Sequence, residues 1–295
     1  MSNAHVPDFP SRIHRIGDID LNVIDVGSGP AVLLLHGFPD RAQMWKHQIK
    51  ALSEAGYRVV APDLRGFGDS SRPSEVEAYG ASHLLGDIQG LLAELGVEDF
   101  YLAAHDWGAN LGWILAGSLS ERVKKYAAFS VGHPRAYAGA GFDQKQLSWY
   151  VLLFQFPGVA EQLMPREDWQ WYRDWIHNGA ARSEDADLNR QIADLSRDGA
   201  LTSGLNWYRA NLGAEDFAES DWHALADLPP IACPVMGVWS EREPALTERQ
   251  MTDSSRFVAG EWRYERIPHV GHWIPAHAPA KTSALLLDFF GDLSA

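Results

Sequence analysis

Ala104-His105-Asp106-Trp107-Gly108-Ala109 decides the reading of this chain, because a carboxylate stands where a strand-to-helix elbow ordinarily presents a nucleophilic serine. The residues before it, Asp99-Phe-Tyr-Leu-Ala-Ala-His105, read as a short buried strand, and Trp107 to Val123 carries small and apolar residues at helical spacing. Asp106 is therefore expected in a tight turn at a sheet edge. In the frame Ala104 to Gly108, Gly108 lets strand and helix approach closely, while alanine replaces the first glycine of the G-x-nucleophile-x-G pattern and is small enough for the turn to survive. A carboxylate that attacks carbon forms an alkyl ester, which water activated by a base must then open. This points to hydrolysis at an electrophilic sp³ carbon and away from peptide cleavage. The competing reading makes Asp106 an N-cap of the following helix, a position Asp fills well.

Composition sets wider bounds. With 295 residues and 46% hydrophobic content, the chain can bury one large core in a compact unit carrying an insertion. The formal net charge of −14, without clusters of Lys and Arg, disfavours nucleic acid and anionic membrane surfaces as partners. Cys233 is the only cysteine, so no intrachain disulfide can form; its place before an apolar strand makes it a packed core residue, and a reducing cytoplasm fits. The stretch from Met1 to Pro7 lacks a basic region followed by an apolar run, and no segment approaches about 18 uninterrupted apolar residues. Neither export nor a membrane span is expected.

Short apolar runs then alternate with helical patterns. Arg12 to Val26 alternates like a hairpin turning near Gly17-Asp18, and Ala31 to Leu35 is a continuous apolar run ending in His36-Gly37-Phe38-Pro39. Tyr57 to Ala61, Phe100 to Ala104 and Lys125 to Val131 read as strands and Ser82 to Leu95 as an amphipathic helix. This rhythm predicts an α/β fold: a mostly parallel, doubly wound sheet with helices on both faces. It breaks after Gly132, where the chain turns helical and aromatic, and resumes with strands at Pro234 to Trp239 and Trp262 to Ile267 and a helix from Ala278 to Phe290. The expected organisation is a core of residues 1–132 and 229–295 interrupted by a helical cap, or lid, over 133–228.

Active groups in such sheets gather beyond the carboxyl ends of strands. Three such ends carry suitable residues in the order nucleophile, acid, histidine. His272, in Pro268-His269-Val270-Gly271-His272-Trp273 after the last strand, is the candidate base. His269 and His272 also invite a metal-ligand reading, but no third ligand follows at useful spacing. The loop Ser240-Glu241-Arg242-Glu243-Pro244 offers the acid that orients the imidazole: Glu243 is the first choice and Glu241 the alternative, with both as solvated partners of Arg242 the bland reading. The backbone N–H groups of Phe38 and Trp107 are the expected oxyanion donors, since the tetrahedral species arises on Asp106 itself when water attacks the ester. An ordinary Gly-Pro turn is the competing reading of His36 to Pro39.

With these motifs in order, the chain resembles the soluble-type epoxide hydrolases of the α/β-hydrolase fold over roughly Asp25 to Phe290. His36-Gly37-Phe38-Pro39 resembles the family's H-G-x-P, Ala104 to Gly108 its G-H-D-W-G, and Val270-Gly271-His272-Trp273 its histidine loop. Ser148-Trp149-Tyr150 through Glu161 is similar to the lid segment bearing the first family tyrosine, and Asn206-Trp207-Tyr208-Arg209 to the segment bearing the second. Two positions depart from the pattern: Ala104 for the first elbow glycine, and Glu243 where Asp is common. The resemblance implies a cofactor-free and metal-free opening of an epoxide to a 1,2-diol, with Tyr150 and Tyr208 polarising the ring oxygen. Phe38, Trp107, Trp149 and Phe154 are expected to contact a small, apolar epoxide. Alternatives are a haloalkane or haloacid dehalogenase using the same Asp, or a ligand receptor without turnover. Self-association as a homodimer stays open.

Overall fold

The computed structural model describes residues 8–177, 185–215 and 228–291. Eight strands form one sheet in the order β1-β2-β4-β3-β5-β6-β7-β8: β1 (Arg12–Ile16), β2 (Ile19–Val26), β3 (Ala31–Leu35), β4 (Arg58–Pro62), β5 (Phe100–His105), β6 (Val123–Phe129), β7 (Val235–Ser240) and β8 (Trp262–Ile267). The first hairpin and its contact with β4 are antiparallel, and every pairing from β4 to β8 is parallel. The central strands are apolar on both faces because helices cover both. Leu33, Leu35, Leu102 and Ala104 face one core, while Val32, Leu34 and Ala103 face the other.

Helices α1 (Lys46–Glu54), α2 (Ala81–Glu94) and α3 (Trp107–Ser118) connect β3, β4, β5 and β6 in turn. Between β6 and β7 lie α4 (Pro134–Ala138), α5 (Phe142–Leu147), α6 (Trp149–Phe154), α7 (Val159–Leu163), α8 (Arg166–His177), α9 (Ala186–Leu195) and α10 (Ala200–Asn211). The chain closes with α11 (Glu248–Thr252), α12 (Ile274–His277) and α13 (Pro279–Phe290). Ile49 and Leu52 of α1 pack with Leu285, Phe289 and Phe290 of α13 on one face of the sheet, and α2 and α3 cover the other.

Asp106 lies in the turn beyond the carboxyl end of β5, which sits between β3 and β6 in the middle of the sheet. Two expected element ends shift. The helix expected to reach Val123 ends at Ser118; a turn in which Arg122 N donates to Leu119 O at 2.8 Å releases the chain into β6. The strand expected to reach Val131 ends at Phe129, because Ser130 turns left-handed with φ 67°. Within the expected 133–228 insertion, 178–184 and 216–227 lie outside the described residues, as does the stretch from Met1 to Pro7.

The helices after β6 share their apolar side with the sheet core: Val151, Phe154, Leu205 and Trp207 belong to the same cluster as Leu102 and Leu115. Ion pairs fix them as well. Buried Asp40, just after β3, accepts from Arg190 Nη2 at 2.7 Å and Gln191 Nε2 at 2.8 Å on α9. The Trp207 indole N–H donates to Arg65 O at 2.9 Å. These contacts hold α9 and α10 over the segments that leave the carboxyl ends of β3 and β4.

Candidate active site

Asp106 joins β5 to α3 with φ 55° and ψ −123°, a conformation L-residues avoid at a cost of about 1–3 kcal/mol. Close packing sustains it. A Cβ at Gly108 would fall on the carbonyl oxygens of His36 and Leu35, and one at Gly37 on the Asp106 carboxylate. Glycine at both positions is what lets the ends of β3 and β5 meet. Ala104 stays compatible with the elbow because it is buried against Leu35 and Ala128 in the strand registers.

Phe38 N donates to Asp106 Oδ1 at 2.8 Å, and the Trp107 N–H also hydrogen-bonds the carboxylate. His272 Nε2 lies 3.4 Å from Asp106 Oδ2, and its Nδ1 lies 2.8 Å from Glu243 Oε2. The Glu243 side chain is fully buried and also accepts from Ala245 N at 3.1 Å. Glu241 is spent elsewhere: it accepts from His269 N at 3.0 Å and pairs with Arg266 at the surface. Glu243, not Glu241, therefore reaches the imidazole.

Burial would raise the Asp106 pKa, but the hydrogen bond and charge of His272, with help from the Trp107 N–H, hold it below the usual carboxylate range. Burial likewise works against charge on His272. The two carboxylates around it prevail, and its pKa is pushed up to about 10. At neutral pH the resting site pairs an Asp106 carboxylate with a His272 imidazolium.

The His272 backbone is held by groups the sequence did not single out. Its carbonyl accepts from Ser130 Oγ at 2.8 Å and lies 3.0 Å from His105 Nε2. His105, fully buried beside the His272 charge, has its pKa lowered to about 3 and stays neutral, so Nε2 carries the donated proton. Gln250 Nε2 in turn donates to Ser130 O at 3.0 Å. Ser130 carried one legible signal, its place at the end of the strand beside β5; Gln250 carried none.

Tyr150 on α6 and Tyr208 on α10 line both pockets that meet at Asp106. Their ring centroids are 6.0 Å apart. Burial first, then the charge of Asp106 and neighbouring phenols, raises both well above the ordinary tyrosine pKa, so both stay protonated. Phe38 and Trp107 pack on Tyr208, with centroids at 5.7 and 5.1 Å.

Two expected pocket residues stand elsewhere. Trp149 is 43% exposed and packs on Trp171 and Trp175, because it precedes Tyr150 by about 100° on the same helix. Phe154 is fully buried behind the pocket, 4.9 Å from Tyr208 and 5.6 Å from Tyr150 by ring centroid, where it braces both phenols. Trp175 lines the pocket without having been singled out. His269 is exposed on Glu241 while His272 is buried, so the two rings part, and among the described residues no cluster of three His, Cys, Asp or Glu could hold a metal ion.

Residues 30–279 match the alpha/beta hydrolase fold family. The chain belongs to that family, and within it to the epoxide hydrolases. It is 32% identical to Epoxide hydrolase A of Mycobacterium tuberculosis, over 96% of this chain and 97% of that one. Epoxide hydrolase 3 of Xenopus tropicalis is 31% identical over 93% of this chain and 76% of its own length. Among solved structures, an epoxide hydrolase from Vigna radiata superposes with a TM-score of 0.81 at 29% identity, covering 96% of this chain and 98% of that one. In addition, among the described residues no helix is long and apolar enough to cross a membrane.

Proposed function

We propose that this chain hydrolyses a small epoxide to a 1,2-diol through an alkyl ester on Asp106. The observation that carries the reading is the pair of buried, protonated phenols of Tyr150 and Tyr208 lining one pocket with the Asp106 carboxylate. Opening an epoxide expels an alkoxide, a poor leaving group that needs acidic O–H donors; a halide leaves unaided by acids and is served by N–H donors. The Phe38 side chain offers no such donor, which favours epoxide over haloalkane.

Asp106 attacks a ring carbon as the C–O bond breaks, and a tyrosine proton passes to the departing oxygen. Esterification also removes the Asp106 charge, one of the two that raise the His272 pKa. The imidazolium then gives up its proton to restore the tyrosine and becomes the base the second step requires. His272, oriented by Glu243, deprotonates water; the hydroxide attacks the ester carbonyl, and the Phe38 and Trp107 N–H groups, already on the carboxylate, hold the oxyanion. Collapse breaks the acyl C–O bond; the proton of the newly added hydroxyl passes to the departing alkoxide oxygen, which releases the diol, returns Asp106 as a carboxylate and leaves His272 as the resting imidazolium.

In this reading residues 133–228 form the cap over a core of 1–132 and 229–295. The buried lone Cys233 supports a reducing, cytoplasmic setting, and the exposed Phe142 and Phe156 on the cap support a homodimer. Incubation with styrene oxide, an aliphatic epoxide, a chloroalkane and fluoroacetate tests the chemistry. Diol from the epoxides without halide release is expected. Halide without diol would move dehalogenation ahead, and binding without turnover would point to a receptor.

The pH profile tests the proton inventory. Dealkylation needs neutral His272 in the ester and so is lost as pH falls through the pKa of that state. Ring opening needs protonated phenols and so is lost only as pH rises past their elevated pKa values. A bell-shaped kcat is expected, its alkaline limb above about 10, the ordinary phenol value. A rate climbing monotonically into alkali, with circular dichroism confirming the fold, would count against tyrosine donors.

A further inference from the structure

From Trp107 to Gly117, α3 is apolar or glycine at every position except Asn110, and every residue of that run is buried except Asn110. Asn110 lines the pocket beside Asp106, with Val131, Tyr137 and Leu246 around it. Its backbone N–H closes the helix onto Asp106 O at 3.1 Å, but its side-chain amide has no hydrogen-bond partner among the described residues. Asn is a poor helix former, and core packing would favour Leu or Ala there. Half-buried on the pocket wall with both its donor and its acceptor uncommitted, this amide is open to a ligand's hydrogen bond.

We infer that Asn110 is a specificity-determining residue that hydrogen-bonds a polar substituent of the substrate, so that the preferred epoxide carries a hydroxyl group on the chain entering this side of the pocket. The inference rests on the epoxide reading and refines it, since the sequence led only to an apolar substrate. An amide offers a donor and an acceptor, which a hydroxyl can answer with an acceptor and a donor. Asn110 stands one helical turn from the nucleophile, about 6 Å along α3, the reach of a few bonds beyond the attacked carbon. Tyr137 does not compete for this role, because its hydroxyl donates to Ser148 Oγ at 2.8 Å.

The test compares two matched pairs: 3,4-epoxybutan-1-ol with 1,2-epoxypentane, and 5,6-epoxyhexan-1-ol with 1,2-epoxyheptane. In each pair a methyl replaces the hydroxyl. The quantity read is the ratio of kcat/KM for alcohol over alkane, in the wild type, Asn110→Leu and Asn110→Ala. In at least one pair, both substitutions are expected to lower this ratio about tenfold, the upper end of the loss typical of one missing hydrogen bond. Turnover of the alkyl epoxides by each variant shows that the site is still assembled. An unchanged ratio in both pairs overturns the inference and leaves the epoxide reading standing. Failure of the wild type to open any of the four overturns both.

Discussion

The double variant Tyr150→Phe/Tyr208→Phe is expected to lose nearly all epoxide opening while keeping its fold. Each single change should cost on the order of 10²-fold in kcat, the scale of a positioned proton donor. With both phenols gone, the alkoxide must leave without a proton in a pocket that already holds a buried carboxylate. Packing should change little, since the rings that touch Phe154, Phe38 and Trp107 remain. Stopped-flow measurement of Trp fluorescence separates this defect from a dealkylation defect. In the double variant the alkylation phase should vanish; in a His272 variant it should persist. Wild-type rates in the double variant on its best epoxide would sink the donor assignment and bring dehalogenation forward.

The sequence carried the strand order along the chain because β3, β5 and β7 are mostly apolar runs of five or six residues, and reactive groups sit where those runs stop. What it did not carry is governed by contacts between distant segments. The place of β4 outside β3 depends on pairing across the sheet, to which the local pattern is blind. The choice between Glu241 and Glu243 is made by the loop backbone: Glu241 N bonds Ile267 O at 3.0 Å and Arg242 N bonds Val270 O at 3.0 Å, which leaves Glu243 turned toward His272. Trp149 was misplaced because α6 spans only six residues, too few for its periodicity to declare which aromatic faces inward. Ser130 and Gln250 act through the backbone of the His272 loop, a contact between segments more than 100 residues apart.

Oxygen tracing should reveal the nucleophile directly. If Asp106 attacks carbon and water then attacks the carbonyl, the first turnover transfers a carboxylate oxygen to the diol and leaves a solvent oxygen on Asp106. A single turnover in ¹⁸O-water with enzyme in excess is therefore expected to give unlabelled diol and a labelled peptide containing Asp106. His272→Gln removes the base but spares the nucleophile, so the ester should accumulate as a mass adduct on that peptide, with steady-state kcat lower by about 10²-fold or more. Asp106→Asn should form no adduct unless its amide hydrolyses back to Asp. The two carbonyl-facing donors make this order of events physically coherent: the Phe38 N–H already bonds Asp106 Oδ1 at 2.8 Å, so the oxyanion arises where its hydrogen bond stands and no reorganisation is required. Label in the diol of the first turnover, with Asp106 unlabelled, would mean that water attacks the epoxide itself, with His272 and Asp106 serving as its base, and the ester pathway would have to be abandoned.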